Sequence, residues 1–338
     1  MFPRGPNTAT FAEWLTRSEF PAATVSEDIT DAADTHSFQT MRALARVARR
    51  HGGGCVNVHF GDNFMSLKDV LALRLSRPRG RLVVTVNHPT PWESTSSRKR
   101  LMTLLAGLIV THVVTISEAT ADILRAAPIA RRKLTVIPIG IPTLAAGKPD
   151  RAVLRGQHGL ENDDVAVVAL GRLVPHKGLA DLIEAFAALD APRSTLFIVG
   201  DGPQRAELEA AAARHPGVDI RFLGYVEDIS SALAMADVFA LPSHLEGFGV
   251  VYIEAARFHV PSIACAVGGP KEVVRDGETG LLVTPGDLEE IKDALSVLIG
   301  DRSVRTRMGD AAFARLERDY TDVEMARRYD PILWPTAR

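Results

Sequence analysis

Two cations stand close together in the segment GRLVPHKG (171–178), directly after the apolar stretch VAVVALG. If that stretch is a buried strand, Arg172 and Lys177 lie at its carboxyl end, where open parallel sheets bind ligands. Arg provides a forked donor and Lys a point charge, and the two together suit a diphosphate. The alternative is a solvated loop. However, a cation beside the helix start at Gly178 is poorly placed unless it shares an anion there, and this favours a ligand site.

Two carboxylates bracket the turn in the segment SHLEGFGVVYIEAARF (243–258). Gly247 and Gly249 permit positive φ and a close approach of the backbone, and the helix that follows begins with unpaired N–H groups that attract anions. Glu254 lies about one and a half turns into that helix, where a carboxylate could accept hydrogen bonds from neighbouring hydroxyls, as on a ribose. Glu246, at the mouth of the turn, could bind hydroxyls of a sugar beyond the phosphates. Taken alone, each acid could equally be a helix-surface residue or a helix-dipole partner. With the two cations, the pattern predicts a nucleotide-sugar site.

From about residue 55 the chain alternates between apolar, β-branched stretches and stretches with helical spacing. Such strands, separated by amphipathic helices, are typical of parallel sheets covered on both faces, so the sequence predicts a doubly wound α/β fold. The predicted strands are CVNVHF, RLVVTVNH, HVVTIS, LTVIPIG, VAVVALG, STLFIVG, VDIRFLG, DVFALPS, PSIACAV and GLLVTP, and the clearest helices are SLKDVLALRLS, EATADILRAA, GLADLIEAFAAL and QRAELEAAAARH.

Small residues with Gly and Pro at 143–150 (TLAAGKPD) show no periodicity and predict a linker. We therefore expect an N-terminal domain over 1–143, a C-terminal domain over 144–320, and a last helix over 321–338 that packs back toward the first domain. The first domain is predicted to be short, because residues 1–34 offer no convincing strand followed by a Gly-rich turn.

The composition, with 46% hydrophobic and 24% charged residues, is that of a soluble globular protein. The charge is uneven: residues 1–145 carry 18 Lys/Arg and 11 Asp/Glu, and the remainder carries 21 and 30. A basic half suggests an anionic surface or substrate, although chance explains it about as well. Cys55 and Cys265, the only cysteines, argue for a reducing compartment and against a disulfide framework or a Cys-based zinc site. The N-terminus lacks the apolar core of a signal peptide, and no apolar stretch has the length of a bilayer span, about 20 residues. We expect a cytoplasmic protein.

Five segments, in this order, resemble family 4 of the retaining GT-B glycosyltransferases, also called glycosyl transferases group 1. They are GRLVPHKG, GDGP (200–203), FLGYVED (222–228), PSHLEGFGVVYIEAA and GLLVTPGD (280–287). The resemblance extends over residues 134–300, and its most specific element is the pair of Glu residues with seven residues between them. It implies a GT-B architecture, in which two Rossmann-like domains face a cleft, here with a short or atypical N-terminal domain.

The resemblance also implies roles for individual residues. Arg172 and Lys177 would bind the donor diphosphate, Glu246 the transferred sugar and Glu254 the ribose. The backbone amides of Phe248, Gly249 and Val250 would meet phosphate and sugar, and the chain near Val226 would face the base. The implied donor-binding set comprises Arg172, Lys177, Gly200, Val226, Glu246, Gly247, Phe248, Gly249, Val250 and Glu254.

The N-terminal half carries one further candidate. The segment VVTVNHPTPWES (83–94) is similar to the family's strand that ends in a histidine near the donor sugar. We assign this role to His88, which joins Arg172, Lys177 and Glu246 in the implied catalytic set. Asn87 occupies the position where the family often has its histidine, and a loop histidine without a role is the alternative. His59, at the end of another predicted strand, is a weaker candidate.

The resemblance implies a retaining hexosyltransferase that uses a UDP- or GDP-sugar as co-substrate and needs no other cofactor. The acceptor hydroxyl would belong to a glycan, a glycolipid or a small molecule, and no nucleic acid partner is expected. We expect metal independence, because Arg172 and Lys177 can neutralise the leaving diphosphate and no Asp-x-Asp follows a strand to hold Mg2+. The alternative is a catalytically impaired homologue that binds a nucleotide-sugar or a partner protein. A nucleotide-sugar epimerase of the same shape lacks motif support.

A second surface is indicated by the segment SSRKRLMTLLAGL (96–108), in which Arg98, Lys99 and Arg100 open a Leu-rich helical pattern. Basic residues beside an apolar face are typical of peripheral proteins on anionic membranes. This predicts association with the inner face of a membrane. A core helix whose basic residues merely face solvent is the alternative.

Overall fold

The structure is a computed structural model, and it describes residues 55–60, 67–76, 78–87, 96–125, 133–142 and 149–333. The chain forms two compact units, one made of Met1–Pro142 with Asp322–Arg338 and the other of Thr143–Thr321. Of the sequence-based predictions, those for His88, for residues 1–34 and for most of the linker lie outside the described residues.

The first unit contains a four-stranded sheet in which all strands are parallel and follow one another in chain order. Its strands are β1 (Cys55–Phe60), β2 (Arg81–Val86), β3 (His112–Thr115) and β4 (Leu134–Val136), and the helices between them are α1 (Leu67–Ser76), α2 (Ser97–Ile109) and α3 (Glu118–Arg125). The apolar segment LMTLLAGLIVTHVVTI (101–116) comprises most of α2 and the strand β3 that follows it. Within the described ranges, no helix is both long and apolar enough to span a bilayer.

The second unit contains a six-stranded, all-parallel sheet. Its strands are β5 (Val165–Leu170), β6 (Ser194–Val199), β7 (Ile220–Gly224), β8 (Val238–Leu241), β9 (Ser262–Cys265) and β10 (Gly280–Val283). Its helices are α4 (Arg151–Gln157), α5 (Leu179–Ala187), α6 (Arg205–Ala213), α7 (Ile229–Met235), α8 (Val250–Ala256), α9 (Pro270–Val273), α10 (Leu288–Gly300) and α11 (Arg302–Asp319), with a 3-10 turn at Pro175–Lys177.

The strand order of this sheet is β10-β9-β8-β5-β6-β7. The chain runs outward from β5 to β7, returns to the other side of β5, and then runs outward again from β8 to β10. The direction of the connections therefore reverses between the neighbouring strands β5 and β8. Doubly wound sheets bind ligands at such a switch point, beyond the carboxyl ends of the strands.

The apolar pattern of the strands has a direct structural cause. Strands β6, β8 and β9 are buried along their whole length and β5 along nearly all of it, because helices cover both faces of the sheet. All ten strands predicted from the sequence are confirmed, and most are shorter than predicted. In the second unit, the residues that follow the carboxyl ends of the strands form the loops that carry the candidate site.

The last helix, α12 (Asp322–Leu333), packs on the first sheet although it follows the second unit in sequence. Its buried face and that sheet form one apolar cluster of Val83, Val114, Ile137, Met325, Tyr329 and Ile332. The hydroxyl of Tyr329 lies 3.0 Å from Oγ1 of Thr85, and Nε of Arg81 donates to the carbonyl of Ile332 at 3.0 Å. These polar contacts satisfy groups that the packing buries.

Both cysteines are free thiols, Cys55 in β1 and Cys265 in β9. Burial raises the pKa of Cys55 to about 11 and that of Cys265 to about 12. At neutral pH both thiols are protonated, and a protonated thiol is a poor nucleophile.

Candidate functional site

The predicted site residues of the second unit lie in the connections that follow four of its strands, in loops, in a 3-10 turn or in the first turns of a helix. Arg172 and Lys177 follow β5, Gly200 follows β6 and Val226 follows β7, while the segment from Glu246 to Glu254 follows β8. Because the strands are parallel, their carboxyl ends meet at one edge of the sheet. The fold thus brings together residues that are far apart in sequence.

An ion pair at this edge joins Lys177 to Glu246. Nζ of Lys177 lies 2.5 Å from Oε2 of Glu246, and these side chains are only 17% and 14% exposed. Lys177 ends the 3-10 turn, and Gly178 (φ 66) then begins α5. Glu246 is therefore an anion that balances the cation beside this helix start. The pair spans the switch point, since one residue follows β5 and the other follows β8.

A second link between the same two loops was not predicted from the sequence. The backbone N–H of His244 donates to the carbonyl of His176 at 2.8 Å, and its Nε2 lies 2.6 Å from Oδ2 of Asp181 in the first turn of α5. A Cβ on Gly178 would lie 2.1 Å from the carbonyl oxygen of Pro242, so only glycine allows this approach. The two loops are thereby held against each other beside the Lys177–Glu246 pair.

Gly200 holds the loops after β5 and β6 together. Its φ is 132°, and a Cβ there would lie 2.0 Å from the carbonyl oxygen of Gly171. Its N–H donates to the carbonyl of Gly224 at 2.7 Å, which ties in the end of β7. Backbone packing therefore accounts for a glycine at 200, and a donor-binding role for it stays a prediction.

Two other predicted site residues lie at the same edge of the sheet. Val226, after β7, is half-buried, and Arg172, after β5, is exposed.

The turn before α8 is shaped by Tyr252. Gly249 caps the helix with φ 84°, and a Cβ there would lie 2.5 Å from the Tyr252 ring. The buried Tyr252 hydroxyl donates to the carbonyl of Leu241 at 2.6 Å and so anchors α8 to the end of β8. The Phe248 ring is buried as well, which leaves its backbone for any ligand contact. None of the described residues accepts a backbone hydrogen bond from the N–H groups of Phe248, Gly249 or Val250.

Two further glycines support this turn and were missed in the sequence. Gly268 and Gly269 follow β9 in the segment AVGGPKE (266–272). A Cβ on Gly268 would lie 2.1 Å from the carbonyl oxygen of Glu246, and one on Gly269 would lie 2.3 Å from Cα of Phe248. The available signal was a glycine pair directly after a buried strand, which indicates close backbone approach. The loop after β9 therefore presses against the segment that carries Glu246.

Glu254 differs from Glu246 in its surroundings. It is half-buried in α8, and burial raises the pKa of its carboxyl group to about 7, an effect that Arg257 opposes only in part. Near neutral pH this carboxyl group is therefore poised between its neutral and charged forms. A ligand hydroxyl that donates to it would favour the charged form.

We expect the raised pKa of Glu254 to make the stability of the protein pH-dependent. A carboxyl group whose pKa is higher in the folded than in the unfolded state binds more protons when folded. Its contribution to stability is therefore lost as the pH rises from about 4.5 through about 7. Glu254→Gln should remove about 2 kcal/mol of this loss and flatten the profile of unfolding free energy between pH 5 and 8. Urea unfolding followed by circular dichroism measures it, with the exposed Glu227→Gln as the matched control. Equal pH slopes for wild type and Glu254→Gln would contradict the expectation.

Comparison with known families yields two matches. The family described as Glycosyl transferases group 1 matches residues 150–315, and Glycosyltransferase Family 4 matches residues 18–143. Together the two models cover most of the chain and meet near the predicted linker.

Curated relatives match about half of the chain. A GDP-mannose-dependent α-(1-6)-phosphatidylinositol monomannoside mannosyltransferase of Mycolicibacterium smegmatis is 39% identical over 191 residues, which is 52% of this chain and 49% of the relative. The lipopolysaccharide core biosynthesis glycosyltransferase LpsE of Rhizobium meliloti is 37% identical over 161 residues, 47% of this chain and 46% of the relative. The chain thus spans about half the length of these relatives.

Solved structures match over nearly the whole chain at lower identity. The Anabaena protein HepE, solved in complex with UDP and glucose, superposes with a TM-score of 0.74 and 23% identity over 88% of this chain and 81% of HepE. A sucrose-phosphate synthase of Thermosynechococcus elongatus gives a TM-score of 0.70 and 22% identity over 87% of this chain and 77% of the synthase. At such identities the likeness shows a common fold.

Proposed function

We propose that this chain, which belongs to the family 4 (group 1) glycosyltransferases and has the GT-B fold, transfers a hexose from a UDP- or GDP-sugar to an acceptor hydroxyl with retention of configuration. The observation that carries the proposal is the Lys177–Glu246 pair at the switch point between β5 and β8. Arg172 lies in the same loop as Lys177, and Glu254 lies about one and a half turns beyond the Gly249 cap.

In this proposal the donor diphosphate takes the place of Glu246 as the partner of Lys177. Arg172 is exposed and can approach the same phosphates as a forked donor. Glu246, released from Lys177, then accepts hydrogen bonds from hydroxyls of the transferred sugar. A leaving oxygen of the diphosphate accepts the acceptor's proton, and the two cations stabilise the charge that develops there.

Glu254 fits the ribose end of the donor. Vicinal hydroxyls can both donate to one carboxylate, and such donation offsets the cost of burying its charge. Because both hydroxyls belong to the ribose, this contact does not distinguish uridine from guanosine. Choice of the base is assigned to the loop that contains Val226.

The names of the relatives favour an acceptor attached to a lipid or a glycan. The Mycolicibacterium relative is named for a phosphatidylinositol mannoside acceptor and the Rhizobium relative for the lipopolysaccharide core. We propose that the acceptor is a glycolipid, a glycan or a smaller hydroxyl compound. We also propose that the protein acts in the cytoplasm. His88 is proposed to lie near the donor sugar, as the family resemblance implies.

The proposal is tested by screening UDP- and GDP-sugars for a rise in melting temperature of the full chain. Donors that stabilise it are then assayed for transfer or hydrolysis, and the anomeric configuration of the product is read by NMR. We expect one nucleotide-sugar to stabilise the protein and to give a retained anomer. An inverted product would refute the retaining mechanism. Stabilisation without any turnover would instead support the impaired, binding-only homologue.

We expect transfer to be independent of divalent metal ions. The cations that balance the leaving diphosphate are Arg172 and Lys177, so no metal is required for that role. Transfer in excess EDTA should proceed at the rate seen with added Mg2+. A rate lost in EDTA and restored by Mg2+ or Mn2+ would mean that a metal ion shares the diphosphate.

A further inference from the structure

Helices α1 and α2 pack side by side on one face of the first sheet. Val70 and Leu73 of α1 and Ala106 of α2 lie in one apolar cluster with residues of β2. Nη2 of Arg74 donates to the carbonyl of Ile109 at 2.7 Å, which places the carboxyl ends of the two helices together. The opposite sides of α1 and α2 therefore form one outer layer of the first unit.

That outer layer is unusually apolar. Of the eleven exposed large apolar side chains among the described residues, five lie on these two short helices. We call them the leucine surface: Leu71, Leu75, Leu101, Leu105 and Leu108. Their spacing places the first two on one face of α1 and the other three on one face of α2. Leu75 and Leu108, at the adjoining carboxyl ends, are the most exposed, at 71% and 72%.

The described charged side chains of these two helices are basic. Helix α2 contains no acidic residue and begins with the sequence SRKR, in which the Arg98 side chain is exposed. Arg79, directly beyond α1, is exposed as well. An apolar face bordered by exposed arginines matches the boundary of a bilayer, where acyl chains adjoin anionic headgroups.

We propose that the leucine surface docks the protein on an anionic lipid bilayer, with Leu75 and Leu108 inserted below the headgroups and Arg79 and Arg98 beside the lipid phosphates. This docking does not depend on the proposed transferase activity. A second copy of the chain is a poorer occupant. A two-fold dimer would set the same basic surface against itself, and like charges would then lie close together.

The test is sedimentation of the full chain with vesicles of phosphatidylcholine containing phosphatidylglycerol, and with vesicles of phosphatidylcholine alone. We expect binding to the anionic vesicles at low salt that weakens as salt is added, and much weaker binding to neutral ones. The double variant Leu75→Ser/Leu108→Ser should bind anionic vesicles at least about tenfold more weakly. Val323→Ser removes an equally exposed apolar side chain (71%) from α12 and serves as the matched control. Arg98→Glu should weaken binding and reduce its dependence on salt.

Several results would overturn the proposal. One is no vesicle binding at low salt, and another is binding that the leucine changes leave intact. A concentration-dependent dimer that Leu75→Ser/Leu108→Ser dissociates would identify a second copy as the occupant. A fall in the melting temperature of the double variant well beyond that of Val323→Ser would show that the rest of the chain, including residues 1–54, covers these leucines. If, in addition, Arg98→Glu left vesicle binding unchanged, neither the leucines nor the arginine would contact lipid, and the proposal would be wrong.

Discussion

Lys177→Ala should lower kcat/KM for hexose transfer by at least about 100-fold, and Arg172→Ala by about 10- to 100-fold. Each substitution removes a charge-assisted contact to the diphosphate, which is worth about 1.5–3 kcal/mol, and about 1.4 kcal/mol corresponds to a factor of ten. The larger effect at Lys177 follows from its pairing with Glu246. Without Lys177, the mostly buried carboxylate of Glu246 has lost its partner and repels the incoming diphosphate.

Three measurements make this prediction specific. Transfer is assayed at subsaturating donor, UDP or GDP affinity is measured by calorimetry, and the melting temperature reports on folding. Arg307→Ala, an exposed arginine of α11, is the matched control and should leave all three unchanged. A folded Lys177→Ala enzyme with wild-type kcat/KM would show that the loop after β5 does not hold the diphosphate.

The sequence was sufficient for the parts of the fold that depend on local pattern. The strands of the second unit are apolar along almost their whole length because both faces are covered, so each was found from its own residues. The helix that begins at Val250 was likewise marked by the glycines before it and by its spacing. The residue pattern and the resemblance indicated the same roles for Arg172, Lys177, Glu246 and Glu254, and the structure places all four at one edge of one sheet.

The contacts that organise the site could not be predicted, because they join segments distant in the chain. Lys177 and Glu246 are separated by 69 positions and Asp181 and His244 by 63, and neither separation carries a local signal. Both pairs follow from the placement of β8 beside β5, which reverses the order of the connections. The sequence predicted a doubly wound sheet but left the strand order open.

The exposure of the leucines on α2 could not be predicted for a related reason. The pattern of Arg98 and the following leucines fits a buried helix as well as a surface one. Whether such a helix is buried or exposed depends on the width of its apolar face and on which other parts of the protein pack against that face. In the structure, Thr103, Ala106 and Gly107 are buried, and Leu101 and Leu108 are exposed. Small residues therefore occupy much of the buried side of the helix, and large ones remain exposed.

Glu246→Gln should have opposite effects on nucleotide binding and on transfer. In the structure the Glu246 carboxylate lies 2.5 Å from the Lys177 ammonium, so a diphosphate must compete with it for the same cation. Glutamine keeps the size of the side chain but removes its charge. We therefore expect UDP or GDP to bind up to about tenfold more tightly, equivalent to about 1.4 kcal/mol. Transfer should nevertheless fall by about 10- to 100-fold, because the sugar hydroxyls lose a charged acceptor worth about 1.5–3 kcal/mol.

Calorimetry with UDP and GDP, together with transfer rates at saturating donor, separates the two effects. Glu317→Gln, an exposed residue of α11, is the matched control and should change neither quantity appreciably. If Glu246→Gln weakened nucleotide binding as Lys177→Ala does, the carboxylate would be needed to position the lysine rather than being its competitor. Tighter nucleotide binding with unimpaired transfer would show that Glu246 restrains Lys177 but does not hold the sugar. Opposite signs require both roles, since the same carboxylate must leave the cation before it can bind the hydroxyls.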